Sequence, residues 1–214
     1  MKERMEFKMT PKIKICGLTN PAEASYLLEE KVEFAGIVLF YEKSKRNNSI
    51  DNARRILEVL HKGDIKTVAV TVSPTKEQVI EIEKLGFHYI QVHGFLSKEV
   101  FETVNIPIIK AIQVTDEPLD EAPYHCSNIA GYLYDGKNSG SGETFDWTLL
   151  KNSRKDEKIL FLAGGLTPDN CREAIEKIHP DVLDVSSGVE FDNETVGKNP
   201  VKIKEFVRMV RIVE

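Results

Sequence analysis

The sequence predicts one closed (β/α)8 TIM barrel of the α/β class, and three observations carry that prediction. Eight short runs rich in Val, Ile, Ala and Phe alternate along the chain with segments of helical apolar spacing. A chain of 214 residues, 41% hydrophobic, buries one sizeable core but is short for two enzyme domains. The unusual polar and glycine residues gather at the C-terminal ends of the apolar runs, where such a barrel carries its chemistry.

Lys12–Cys16 forms the first strand, and its helix opens at Asn20-Pro21-Ala22-Glu23, with Asn20 as N-cap and Pro21 at the first helical position. Phe34–Phe40 and a helix over Ile50–His61 make the second unit, joined by the polar stretch 42–49. Val68–Val72 leads through Ser73-Pro74 into Lys76–Leu85, and Tyr89–Val92 leads through His93-Gly94 into Ser97–Val104. The fifth strand, Ile108–Ile112, precedes a short helix around 117–122 that is interrupted by Pro118 and Pro123. Ile129–Tyr134 ends at Asp135, and after a Gly/Ser-rich loop Asp146 caps a helix beginning at Trp147. Ile159–Ala163 with Pro168–Ile178, and Val182–Ser186 with Val201–Val210, complete the eight. An open doubly wound sheet is the alternative, but a Rossmann-type sheet wants Gly-x-Gly-x-x-Gly after its first strand, and Cys16-Gly17-Leu18-Thr19 does not supply it.

Residues 1–11 read as a flexible leader without an apolar core, and 12–214 as the barrel domain. A net charge of −5 disfavours non-specific nucleic-acid binding, which needs a basic face, and no apolar run approaches the roughly 20 residues of a membrane span. Cys16, Cys126 and Cys171 are odd in number and lack metal-type spacing with the histidines, so neither a disulfide scaffold nor a metal site is expected. Free thiols suit a reducing cytoplasm.

On this frame Gly164-Gly165 after strand seven and Ser186-Ser187-Gly188 after strand eight form the two halves of a phosphate cradle, since both offer backbone N–H groups with little side-chain obstruction. Either pair alone could equally be a tight turn. Cys16 ends the first strand and Asp135 the sixth; a buried structural thiol and a chain-turning aspartate are the plainer readings of each. Arg46, in the loop after strand two, could clamp a carboxylate or simply be solvated, and His93 could meet a ligand or be a hydrogen-bonded structural histidine. Strand alternation puts Lys14 on the same inward face as Cys16, and Asp184 on the same face as Ser186. A Lys14–Asp184 ion pair below the rim is therefore expected.

Taken in order, several stretches resemble the phosphoribosylanthranilate isomerase family from Lys12 to the C-terminus. They are Lys12-Ile13-Lys14-Ile15-Cys16-Gly17-Leu18, Gln91-Val92-His93-Gly94, Lys110-Ala111-Ile112, the run from Gly140 to Trp147, Leu162-Ala163-Gly164-Gly165-Leu166, and Asp184-Val185-Ser186-Ser187-Gly188-Val189-Glu190. The resemblance implies a barrel of the ribulose-phosphate-binding type and an Amadori rearrangement of N-(5′-phosphoribosyl)anthranilate in tryptophan biosynthesis, without metal or organic cofactor. It implies Cys16 as general base, Asp135 as general acid and Arg46 as the group binding the anthranilate carboxylate. His93, Asp184 and the glycine-rich turns would contact the phosphosugar substrate, and the protein would be a monomer or homodimer. The chain departs from the family in having Lys45 where a proline usually precedes the arginine, and in Tyr134-Asp135-Gly136 around the acid. A phosphosugar isomerase of the histidine-biosynthesis type, which uses two aspartates, fits less well because the first strand ends in Cys16. A barrel that only binds phosphate is the non-enzymatic alternative.

Overall fold

A computed structural model describes residues 10–115, 128–136, 145–150, 158–192 and 196–212. Its eight main strands are β1 (Lys12–Cys16), β2 (Phe34–Leu39), β3 (Lys66–Val72), β4 (Tyr89–His93), β5 (Ile108–Gln113), β6 (Ile129–Asp135), β7 (Ile159–Leu162) and β8 (Val182–Val185). All pair in parallel with their sequence neighbours, and β1 pairs with both β2 and β8, so the sheet closes on itself. The two-residue strand Asn47–Asn48 lies alongside the end of β2.

The helices follow their strands on the outside: α1 (Pro21–Glu29), α2 (Ile50–Leu60), α3 (Lys76–Lys84), α4 (Lys98–Thr103), α5 (Cys171–Ile178) and α6 (Pro200–Arg211). Asn20, Ser49, Thr75, Ser97 and Asn199 cap the first four and the last, each accepting from a first-turn N–H. Two expectations shift. α5 begins at Cys171 rather than Pro168, because the Asn170 side chain accepts from Thr167 N–H at 2.8 Å and donates to the Gly165 carbonyl at 2.8 Å, holding 167–170 as a turn. The segment from Trp147 is a single 3-10 turn, Trp147–Leu150, with Asp146 accepting from Thr148 N–H at 2.9 Å as the expected cap. The helix expected around 117–122 lies outside the described residues, as do residues 1–9 of the leader, Cys126 and most of the run from Gly140.

Strand alternation sorts the core into two shells. Outward residues such as Ile13, Ile15, Ile37, Ile90 and Leu183 pack against the helices, while Phe34, Val68, Ile109, Phe161 and Val182 fill the barrel interior. The rings of Phe34 and Phe161 meet edge to face at 5.5 Å. Toward the C-terminal ends of the strands the inward positions become polar: Lys14, Gln91, Asp135 and Asp184 are all buried there.

Candidate active site

A cavity of about 150 Å³ opens at the C-terminal end of the barrel, and Cys16, Arg46, His93, Asp135, Gly164, Gly165, Asp184, Ser186 and Ser187 all line it. Gly188 stands behind this wall: a Cβ there would overlap the Leu166 carbonyl, so the loops after β7 and β8 touch backbone to backbone because Gly188 has none. The N–H groups of Gly165, Ser187 and Gly188 take part in no hydrogen bond among the described residues. They remain available to an anion.

Cys16 sits at the last register position of β1, opposite Gly36 of β2. A Cβ on Gly36 would stand 2.8 Å from the Cys16 sulfur, so the thiol occupies room that only glycine leaves. Nothing in the sequence singles out Gly36, since its partner is set by lateral register. Below the thiol, Lys14 and Asp184 are direct register partners across the β1–β8 seam, and Lys14 Nζ meets Asp184 Oδ2 at 2.8 Å. The expected ion pair is present. Asp184 Oδ1 has no hydrogen-bond partner among the described residues.

Burial pushes the Cys16 thiol above its ordinary range; the Lys14 and Lys198 ammonium groups pull it down, while Asp184 adds to the rise. Burial also works against the charge on Lys14, yet Asp184 and Cys16 beside it hold the ammonium above its usual value. His93 is brought down to about 4, first by burial and then by Lys14 and Lys110, so it is a neutral imidazole at physiological pH. One ring nitrogen lies 2.7 Å from the Gln91 amide nitrogen.

Asp135 ends β6 and is 8% exposed, with one carboxylate oxygen accepting from Gly136 N–H at 2.9 Å. Gly164 makes room for it: a Cβ there would lie 3.1 Å from Asp135 Oδ1 and 2.9 Å from Gly136 N. Asp135 and Cys16 therefore approach the same cavity from strands on different sides of the barrel.

Arg46 reaches the cavity over Gly17, where a Cβ would overlap the Arg46 Cδ; Gly17 also has a φ of +82°, a left-handed conformation that glycine adopts freely. Its backbone is held by Asn48, whose amide nitrogen donates to the Arg46 carbonyl at 3.0 Å and to the Leu18 carbonyl at 2.9 Å. Arg46 Nε donates to Glu190, and its side chain is only 11% exposed, whereas Lys45 is 57% exposed and bonds the other Glu190 oxygen at 2.9 Å from outside the cavity. Sequence reasoning gave no role to Glu190 or Lys198. Their one signal was the glutamate closing the Asp184–Glu190 stretch. Among the described residues no cluster of His, Cys, Asp or Glu could hold a metal ion.

Parallel closure, with a thiol, a carboxyl and the glycine turns after the last two strands gathered at one mouth, gives the layout of a (β/α)8-barrel enzyme. Residues 13–209 match the family model for N-(5′-phosphoribosyl)anthranilate (PRA) isomerase, and the chain belongs to that family. The enzyme of that name from Streptococcus mutans is 35% identical over 202 residues, covering 94% of this chain and 98% of its own. A phosphoribosylanthranilate isomerase in complex with reduced 1-(o-carboxyphenylamino)-1-deoxyribulose 5-phosphate superposes with a TM-score of 0.79 at 32% identity, and monomers generated from the dimeric Thermotoga maritima enzyme with 0.80 at 32%; each comparison covers 94% of this chain and 98% of the other.

Proposed function

We propose that this barrel performs its family's reaction, the Amadori rearrangement of N-(5′-phosphoribosyl)anthranilate to 1-(2-carboxyphenylamino)-1-deoxyribulose 5-phosphate, with Cys16 as general base and Asp135 as general acid. That the chain is a tryptophan-biosynthesis isomerase follows from its family. The observation that carries the assignment of roles is that Cys16 and Asp135, on β1 and β6, line one cavity together with the glycine turns after β7 and β8.

The chemistry divides between the two groups. Asp135 protonates the ribose ring oxygen, the ring opens to an iminium at C1, and the proton at C2 becomes acidic; Cys16 as thiolate removes it, leaving an enolamine that tautomerises to the ketose. Each group contributes about 10²- to 10⁴-fold, roughly 3 to 5 kcal/mol of barrier. The free N–H groups of Gly165, Ser187 and Gly188 hold the phosphate, and Asp184 Oδ1 accepts from a sugar hydroxyl. Neutral His93 borders the sugar without adding charge. Arg46, rather than the exposed Lys45, takes the anthranilate carboxylate. We place the catalytic domain at 12–214 after a leader of 1–11, acting as a monomer or homodimer on a small phosphosugar in the cytoplasm, where the free thiols of Cys16 and Cys171 persist. No helix among the described residues is long and apolar enough to cross a membrane.

Freshly prepared phosphoribosylanthranilate tests the assignment through the decay of its fluorescence. Cys16→Ser is expected to lower kcat/KM by at least about two orders of magnitude with the melting temperature kept, since a serine hydroxyl is a far weaker base. A serine variant as fast as the parent would remove Cys16 from the mechanism.

A further inference from the structure

We infer that Glu190 and Lys198 are positioning residues that fix Arg46 for the carboxylate of the substrate and tie it mechanically to the strand end bearing Cys16. The inference rests on the reading of Arg46 as the carboxylate clamp. Glu190 follows the 3-10 turn after β8, and Lys198 is bridged to it in antiparallel fashion just before α6. Both side chains are buried, Lys198 completely.

The contacts form one chain. Arg46 Nε donates to Glu190 Oε1, and Lys198 Nζ donates to that same oxygen at 3.0 Å. Lys198 Nζ also donates to the Ser186 carbonyl at 3.1 Å and to Ser186 Oγ at 3.2 Å, and Ser186 Oγ donates to the Cys16 carbonyl at 2.9 Å. The backbone of Lys198 is held in turn by Glu23 of α1, whose carboxylate accepts from Lys198 N–H at 2.8 Å and from Thr19 N–H at 2.6 Å. The guanidinium is thus gripped through Nε, and neither Nη donates to any described residue. A guanidinium held in this way keeps its two-Nη edge for a planar, paired contact with a carboxylate.

Charge alone does not explain the arrangement. Arg46, Lys45 and Lys198 surround one carboxylate, leaving two positive charges in excess. Burial opposes the charge on Glu190, but Arg46, Lys198 and Lys45 together bring it down to about 2, so it stays ionised throughout the working range. An anion site built only for attraction would do better without Glu190. The two explanations therefore predict opposite signs when Glu190 is neutralised.

Steady-state kinetics on Glu190→Gln and Glu190→Asp decide it, with phosphoribosylanthranilate compared against N-(5′-phosphoribosyl)aniline, the same sugar phosphate without the carboxylate. Glutamine removes the charge; aspartate keeps it but falls a methylene short of Arg46, so one variant remains informative if the other fails to fold. Each is expected to raise KM for phosphoribosylanthranilate by about tenfold or more, with a smaller change in kcat, and the KM increase for the aniline compound should be at least about fivefold less. An unchanged or lowered KM for phosphoribosylanthranilate, or equal increases for the two compounds, overturns the inference. Arg46→Met separates the two levels: if it raises KM for the carboxylate substrate while the Glu190 variants do not, only the positioning role falls, and if it has no effect on that KM, the clamp assignment falls and takes this inference with it.

Discussion

Two halves of one barrel interior obey different rules. On β8 a single alternation separates them: Val182 packs in an apolar floor with Phe34 and Phe161, whereas Asp184, the next inward residue, is buried beside a lysine and a thiol. The floor is filled with side chains that need nothing beyond contact. The rim holds groups whose desolvation is unfavourable and is offset only in part, as the unpartnered Asp184 Oδ1 shows. Chemically silent residues fill the floor, and the titratable groups sit at the rim, where burial works against their charge.

The largest effect that tests this division is Phe161→Ala. Phe161 is fully buried and packs on Phe34, so its truncation is expected to cost about 3 to 5 kcal/mol in urea unfolding, with kcat/KM of the folded enzyme within about threefold of the parent. Cys16→Ser should give the mirror image, activity lost and stability kept. If Phe161→Ala depressed kcat/KM as strongly as it depressed stability, the two halves would not be separable.

How far the sequence anticipates each half follows from what the pattern encodes. The apolar runs give the strands to within a residue or two, because period-2 burial and the β/α alternation are local. Lys14, Cys16, Asp135 and Asp184 were legible for the same reason: their positions at or near strand ends fix which way they face. Gly36 was not, because its role depends on which residue of β1 lies opposite. The pairing of Arg46 with Glu190 joins loops 144 residues apart that become neighbours only when β1 seals the barrel between β2 and β8. Nothing local to either segment announces it.

A smaller effect sharpens the electrostatics of the rim. The half-buried Cys16 thiol is pushed above its ordinary range, so at pH 7 to 8 the thiolate is the minor form and its fraction grows about tenfold per pH unit below that pKa. Iodoacetamide labelling of Cys16, followed by peptide mass analysis, should therefore accelerate steadily from pH 7 to 9 without levelling. Lys14→Met removes a cation that lowers the pKa and should slow labelling at pH 8; Asp184→Asn removes an anion that raises it and should speed labelling. Equal effects of both variants would mean that access, not charge, governs the thiol.

The smallest expected effect joins the rim to its backbone. Gly17 stands one residue beyond Cys16, with a φ of +82° and the stem of Arg46 lying across it. An alanine there meets two separate obstacles: the left-handed conformation costs about 1 kcal/mol for a residue with a Cβ, and the methyl displaces the Arg46 side chain. The first should appear as a loss of about 1 kcal/mol in chemical denaturation, and the second as a several-fold rise in KM that exceeds the change in kcat. Asn48 still fixes the Arg46 carbonyl in that variant, so only the side chain is free to move aside. A Gly17→Ala enzyme with lowered stability and an unaltered KM would show that the strain at Gly17 is separable from the position of the Arg46 side chain, or that this side chain does not set KM.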